Sequence, residues 1–140
     1  MKKADLLHRA SKDLWLAKIA LNHLTGDEFE HDIIGYHIQQ AVEKLMKFIL
    51  NDNGIEYKKV HYIEQLCEQF DEEGLKLPDW VEQNAVMLTR WATETRYGDN
   101  LVVVRKKMLD ILEKTDIWLK QVQKEQQERQ ERCEVTKWKE

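Results

Sequence analysis

The sequence predicts an all-α fold: an up-and-down antiparallel four-helix bundle whose third helix is split and whose C-terminal end carries a polar extension. Three observations lead there. Apolar residues recur at steps of three and four along several long segments, the period of a helix with one buried stripe. One proline and five glycines in 140 residues are too few for a sandwich or barrel built on many turns. Apolar content of 42% beside 34% charged residues suits helices with a solvated outside. A chain of this length is expected to enclose one core, with the helical body over residues 4–123 and a polar helical extension or disordered tail over 124–140.

The first helix is expected from about residue 4 to 24, with Leu7, Ala10, Leu14, Ala17, Leu21 and Leu24 as its seam. Gly26 is suited to the left-handed conformation that ends it. The second begins near Phe29 or Asp32, with Asp27 and Asp32 as alternative N-caps, and runs to about Asn51. Its buried face is Ile34, Ile38, Ala41, Leu45 and Phe48, widened by Val42 and Ile49, while Tyr36, Gln40, Glu43 and Lys47 take the opposite, polar side. Gly35 costs about 1 kcal/mol inside a helix, so close contact with another backbone is expected there.

A connection over residues 55–60 leads to a short helix over about 62–70, with Ile63, Leu66 and Phe70 on one side. Pro78 fits the first turn of a further helix reaching about residue 96, with Val81, Ala85, Leu88 and Ala92 inward and Trp80, Met87 and Trp91 widening that face. Asp99 or Asn100 is expected to cap the last long helix, about 101–123, whose seam is Leu101, Val104, Met108, Ile111, Thr115, Trp118 and Val122. From Lys124 onward no apolar stripe continues, and Trp138 is the one large apolar group.

A net charge of −4 argues against a domain that simply coats nucleic acid. Cys67 and Cys133 form neither a metal-ligand spacing nor a secreted framework, so two reduced thiols and a cytoplasmic location are expected. No apolar run approaches the roughly 20 residues that cross a bilayer. No cofactor and no metal are expected.

Three segments resemble the HEPN family. Residues 36–47, Tyr-His-Ile-Gln-Gln-Ala-Val-Glu-Lys-Leu-Met-Lys, look like the family's second-helix signature, an aromatic residue followed by Gln-Gln-Ala, Glu-Lys and a further Lys. Residues 60–66, Val-His-Tyr-Ile-Glu-Gln-Leu, resemble its Thr-His-Asp-Leu segment, and residues 95–99, Thr-Arg-Tyr-Gly-Asp, its Ser/Thr-Arg-Tyr-Pro-Asp turn. The three occur in the family's order and the resemblance spans about residues 4–123. It implies a compact helical bundle, commonly a homodimer, in many cases encoded beside a small nucleotidyltransferase as a toxin–antitoxin pair; other members bind nucleotides or cut RNA. Cutting members share an Arg followed after four to six residues by a His. This chain has no such spacing: after Arg9 the next histidine is His23, and none follows Arg90. The usual general base has no residue to land on, and a binding module is favoured over an enzyme.

The resemblance and the residue chemistry together mark His37, Gln40, Lys44, His61 and Arg96 as candidate contacts for a nucleotide, its phosphate or RNA. His37, Gln40 and Lys44 fall on one helix flank, where an amide can read a base edge and an ammonium can meet a phosphate. The plain alternative is a solvated flank with no ligand. His61 either packs against its own turn or turns toward His37. Arg96 either grips a phosphate or pairs with Asp99 or Glu94. Tyr36, Gln39, Glu43, Tyr97 and Asp99 are assigned to the framework of the motif. Two functions follow: a non-catalytic module that binds a nucleotide or a nucleotidyltransferase partner, or an RNA-cleaving toxin with a rearranged set of His37, His61 and Arg96. The five tryptophans exceed what the core needs, and a buried dimer face is the simplest use for Trp15 and Trp91.

Overall fold

Asp27 and Glu30 organise the first turn of the chain. The computed structural model describes residues 3–27, 29–94 and 102–139. Within them lie six helices and no strand: α1 (Lys3–Asn22), α2 (Glu30–Asp52), α3 (Ile63–Glu72), α4 (Asp79–Gln83), α5 (Ala85–Thr93) and α6 (Arg105–Lys139). Gly26 has φ +94°, the left-handed conformation expected after α1. The Asp27 carboxylate accepts the Phe29 amide at 2.8 Å, and Glu30 reaches back to accept the Thr25 amide at 2.8 Å and the Gly26 amide at 3.3 Å. These bonds satisfy backbone amides of the connection that leads into α2.

The N-cap position of α2 is Phe29, so neither Asp27 nor Asp32 takes it, and Asp32 does different work. It lies inside α2, is buried, and accepts the amides of Val102 at 3.2 Å and Val103 at 2.9 Å. Those amides are therefore spent before α6 begins. The last helix starts at Arg105, not near residue 101; Asp99 and Asn100, the caps expected for it, lie outside the described residues. The seam shifts accordingly. Val103 is buried in place of Val104, which is 66% exposed, and Leu112 and Leu119 join Met108, Ile111, Thr115, Trp118 and Val122.

The helix expected over residues 78–96 is two helices. Asn84 interrupts it: its backbone has φ −112°, and its side-chain amide donates at 2.7 Å to the Trp80 carbonyl, which also accepts the Asn84 backbone amide at 3.1 Å. Pro78 stands at the N-cap of α4, as its missing N–H permits. Val81, Ala85 and Leu88 are buried as expected, and Ala92 only partly.

The core joins all six helices. It includes Leu14 and Ala17 from α1, Ile34, Ile38, Leu45 and Phe48 from α2, Leu66 and Phe70 from α3, Trp91 from α5 and Ile111 from α6. Trp91 is fully buried and belongs to this core rather than to a dimer face; Trp15 is exposed. At Gly35 the close neighbours are side chains, not backbone: an added Cβ would stand 2.6 Å from Val103 Cγ2 and 3.4 Å from Trp91 Cδ2.

One further expectation changes: Glu43 and Lys47, placed on the solvent side of α2, are buried. Of the two alternatives for the polar segment, the described residues take the helical one, α6 being one helix of 35 residues, about 52 Å long, to Lys139. Arg129 pairs with Asp52 at 2.5 Å, fastening the extension to the end of α2.

Candidate functional site

The signature residues of α2 divide between its two flanks. On the first, Lys44 Nζ donates to Asp13 Oδ2 of α1, and His37 Nδ1 lies 3.3 Å from Asp13 Oδ1. One carboxylate thus holds two of the expected ligand residues. Burial by itself would push the Asp13 carboxyl up; the hydrogen bonds from His37 and Lys44 outweigh it, and its pKa is held below the ordinary carboxylate value. The Tyr36 ring meets the His37 ring edge-on, with centroids 5.6 Å apart. His37 and Lys44 are both partly accessible.

The second flank is a polar chain, buried at Gln39, Glu43 and Lys47, that begins at half-buried Gln40 on the margin of the first. Gln40 donates to Gln39 Oε1 at 2.6 Å, and Gln39 donates to Glu43 Oε1 at 3.4 Å and to the His61 carbonyl at 3.5 Å. Lys47 Nζ donates to Glu43 Oε2 at 3.3 Å and sits 5.2 Å above the Tyr57 ring. The His61 ring, 82% exposed, lies 3.5 Å from Glu43 Oε2. Gln69 fixes the segment that carries His61: it accepts the Lys58 amide and donates to the Glu56 carbonyl, both at 3.0 Å. Thr89 of α5 accepts the Ile63 amide at 2.9 Å and so caps α3 from another helix.

The structure therefore brings His37 and Lys44 onto Asp13, ties Gln40 to Gln39, and places the His61 ring against Glu43. Arg96, Tyr97 and Asp99 lie outside the described residues. Asp13 and Lys47 escaped the sequence-based site. Asp13 stands one position before the seam residue Leu14, and an acid at the margin of an antiparallel helix pair was the available signal. Among the described residues no group of three or more His, Cys, Asp or Glu side chains is arranged to hold a metal ion. No helix of the described residues is long and apolar enough to cross a membrane. A cavity of 490 Å³ opens at the other end of α2, lined by Phe48, Asp52, Lys76, Trp118 and Arg129 among others, and among the described residues it includes none of His37, Gln40, Lys44 and His61.

An all-helical chain with this second-helix signature defines a class of small helical modules. The model of the HEPN domain matches residues 4–125, and the chain belongs to the HEPN family. No curated protein and no solved structure matches it.

Proposed function

We propose that this HEPN chain is a non-catalytic binding module, a homodimer that engages a nucleotidyltransferase-type partner, a nucleotide or RNA through the α1–α2 flank. The observation that carries the reading is the sharing of Asp13 by Lys44 and His37. A carboxylate from the neighbouring helix fixes both side chains at the surface, so little side-chain freedom remains to be lost when a phosphate or a partner carboxylate arrives. Gln40, held by Gln39, stands one turn from each and offers an amide edge. His61 and Arg96 are the outer contacts of the same proposal. The long helices are read as an up-and-down four-helix arrangement in which α3, α4 and α5 together form the split third member. Residues 124–140 are read as an appendage to the body. Exposed Ile33, Val86 and Val104 offer apolar surface to a second copy.

The test is calorimetric titration of the full chain with ATP, GTP and a short RNA, alone and with any co-purifying partner, beside Lys44→Ala and Gln40→Ala. Heat that the two variants abolish supports the module. Silence toward every ligand, with no partner retained, refutes it.

A second reading, an RNA-cleaving toxin component, draws on the Asp13–His37 pair. A carboxylate on Nδ1 orients an imidazole for proton transfer through its other nitrogen. RNA cleavage lost in His37→Ala and weakened in Asp13→Asn would favour it over the module.

A further inference from the structure

The solvent face of α1 is not a typical polar face. Residues 5, 8, 9, 12, 15, 16 and 19 follow one another at helical spacing on the side opposite the buried Ala10, Leu14 and Ala17. At its centre Trp15 is 52%, Leu16 42% and Ile19 41% exposed. Lys12 Nζ lies 5.2 Å from the centre of the Trp15 ring, a cation–π contact that holds the indole outward. Arg9 and His8 are exposed on the next turn. The acids that would balance them are few: α1 contains only Asp5 and Asp13, and Asp13 is engaged by Lys44 and His37. An overall acidic chain thus displays here Arg9 and Lys12 against a single acid, Asp5, with three large apolar side chains beside them.

We infer that this face of α1 is a docking surface for an acidic amphipathic helix of a partner protein. Leucine-like side chains at every third or fourth position of that helix would pack on Trp15, Leu16 and Ile19, and flanking Glu or Asp would meet Arg9 and Lys12. Charge complementarity selects this occupant. A second copy pairing through the same face would bring a second Arg9 and Lys12 and, on that face, only Asp5 to answer them. An anionic bilayer is held by clusters of about four to eight basic residues, and here Lys18 is already committed to Asp116. The inference rests on the reading of the chain as a binding module and names the partner chemistry of one of its faces.

Two stapled helical peptides of about 20 residues, alike in their leucine pattern and carrying either Glu or Lys at the flanks, are titrated into the isotope-labelled full chain and followed by heteronuclear NMR. The acidic peptide is expected to shift the Trp15 indole and the amides of residues 8–20 saturably, and to bind at least about tenfold more tightly than the basic one, since two charge contacts are at stake. Arg9→Glu with Lys12→Glu is expected to weaken it at least about tenfold, and Trp15→Ser likewise; all three positions are exposed, and an unchanged melting temperature checks the fold of each variant. Equal binding of both peptides, shifts centred away from α1, or no saturable shift would overturn the inference. So would movement of the same resonances with protein concentration alone, or with vesicles of phosphatidylglycerol. Each of these leaves the calorimetric test of the Lys44 flank untouched, so the two readings fail separately.

Discussion

The Asp32 carboxylate of α2 accepts the Val103 amide at 2.9 Å across 71 positions of sequence, and the Val102 amide beside it. A buried acid satisfied by two backbone donors is a strong clamp, because the donors have nowhere else to go. It anchors the segment that enters α6. Asp32→Ala is expected to cost about 2–3 kcal/mol, since it strands two amides next to an apolar gap. Asp32→Asn keeps one acceptor oxygen and should recover about half of that. Chemical denaturation of the three proteins measures it; equal stability would mean that the clamp contributes nothing.

The same junction explains Gly35. Val103, held by Asp32, fills the space above the glycine, where an added methyl would stand 2.6 Å from its Cγ2. Gly35→Ala gains helix propensity of about 1 kcal/mol and loses more to overpacking, about 1–3 kcal/mol. Val103→Ala in the same chain should open the space and reverse part of the loss. A double-mutant cycle in which the two changes simply add would rule out the contact as the reason for the glycine.

Glu43 and Lys47 form a buried pair on α2, with Gln39 bonded to the same carboxylate. Removing one partner leaves an uncompensated charge in the interior. Glu43→Ala or Lys47→Ala alone is expected to cost about 3 kcal/mol or more, and Glu43→Gln with Lys47→Met much less than the sum of the single changes. Thermal melts of the four proteins decide this. A double variant as unstable as the summed singles would show that the charges do not depend on each other.

Acid should loosen the α1–α2 flank. The folded-state pKa of Asp13 lies below its ordinary value, so its contribution is fully present above the unfolded pKa and is lost as pH falls through the lower folded one. Asp116, bonded by Lys18 and Lys120, is shifted the same way despite its partial burial and adds a second α1–α6 contribution. Stability should therefore hold at neutral pH and decline below about pH 4, and the decline should be shallower in Asp13→Asn. An unaltered acid limb in that variant would show that Asp13 is not what titrates.

These positions mark where sequence reading succeeds and where it stops. The stripes of α1, α2 and α3 are legible because they depend only on the period of a helix, and Ile34, Ile38, Leu45, Leu66 and Phe70 are all buried. The break at Asn84 is not, because it depends on a side chain that shares the Trp80 carbonyl with its own backbone amide. The choice of Val103 over Val104 depends on Asp32, a residue 71 positions away. Glu43 and Lys47 look like surface residues because charge is normally solvated; only the meeting of α2 with His61 and Tyr57 encloses them. For the site, the grouping of His37 with Lys44 was visible in their spacing, but the acid that joins them comes from another helix, and spacing along one helix carries no information about that.

The two thiols should differ sharply in reactivity. Cys133 is exposed on the α6 extension, whereas Cys67 is buried on α3. Burial, reinforced by the charges of Glu82, Glu64 and Glu68, pushes the Cys67 thiol up to about 11. At pH 8 that leaves it with on the order of a hundredfold less thiolate than an ordinary cysteine of pKa about 8.5, before access is considered. Iodoacetamide at pH 8 should therefore label exposed Cys133 in the native state and Cys67 only when α3 opens. Peptide mass spectrometry over a time course reads both rates, and urea below the unfolding midpoint should accelerate Cys67 selectively. Comparable native-state rates would mean that α3 detaches readily, and the Thr89 and Gln69 contacts that hold it would then have to be weak.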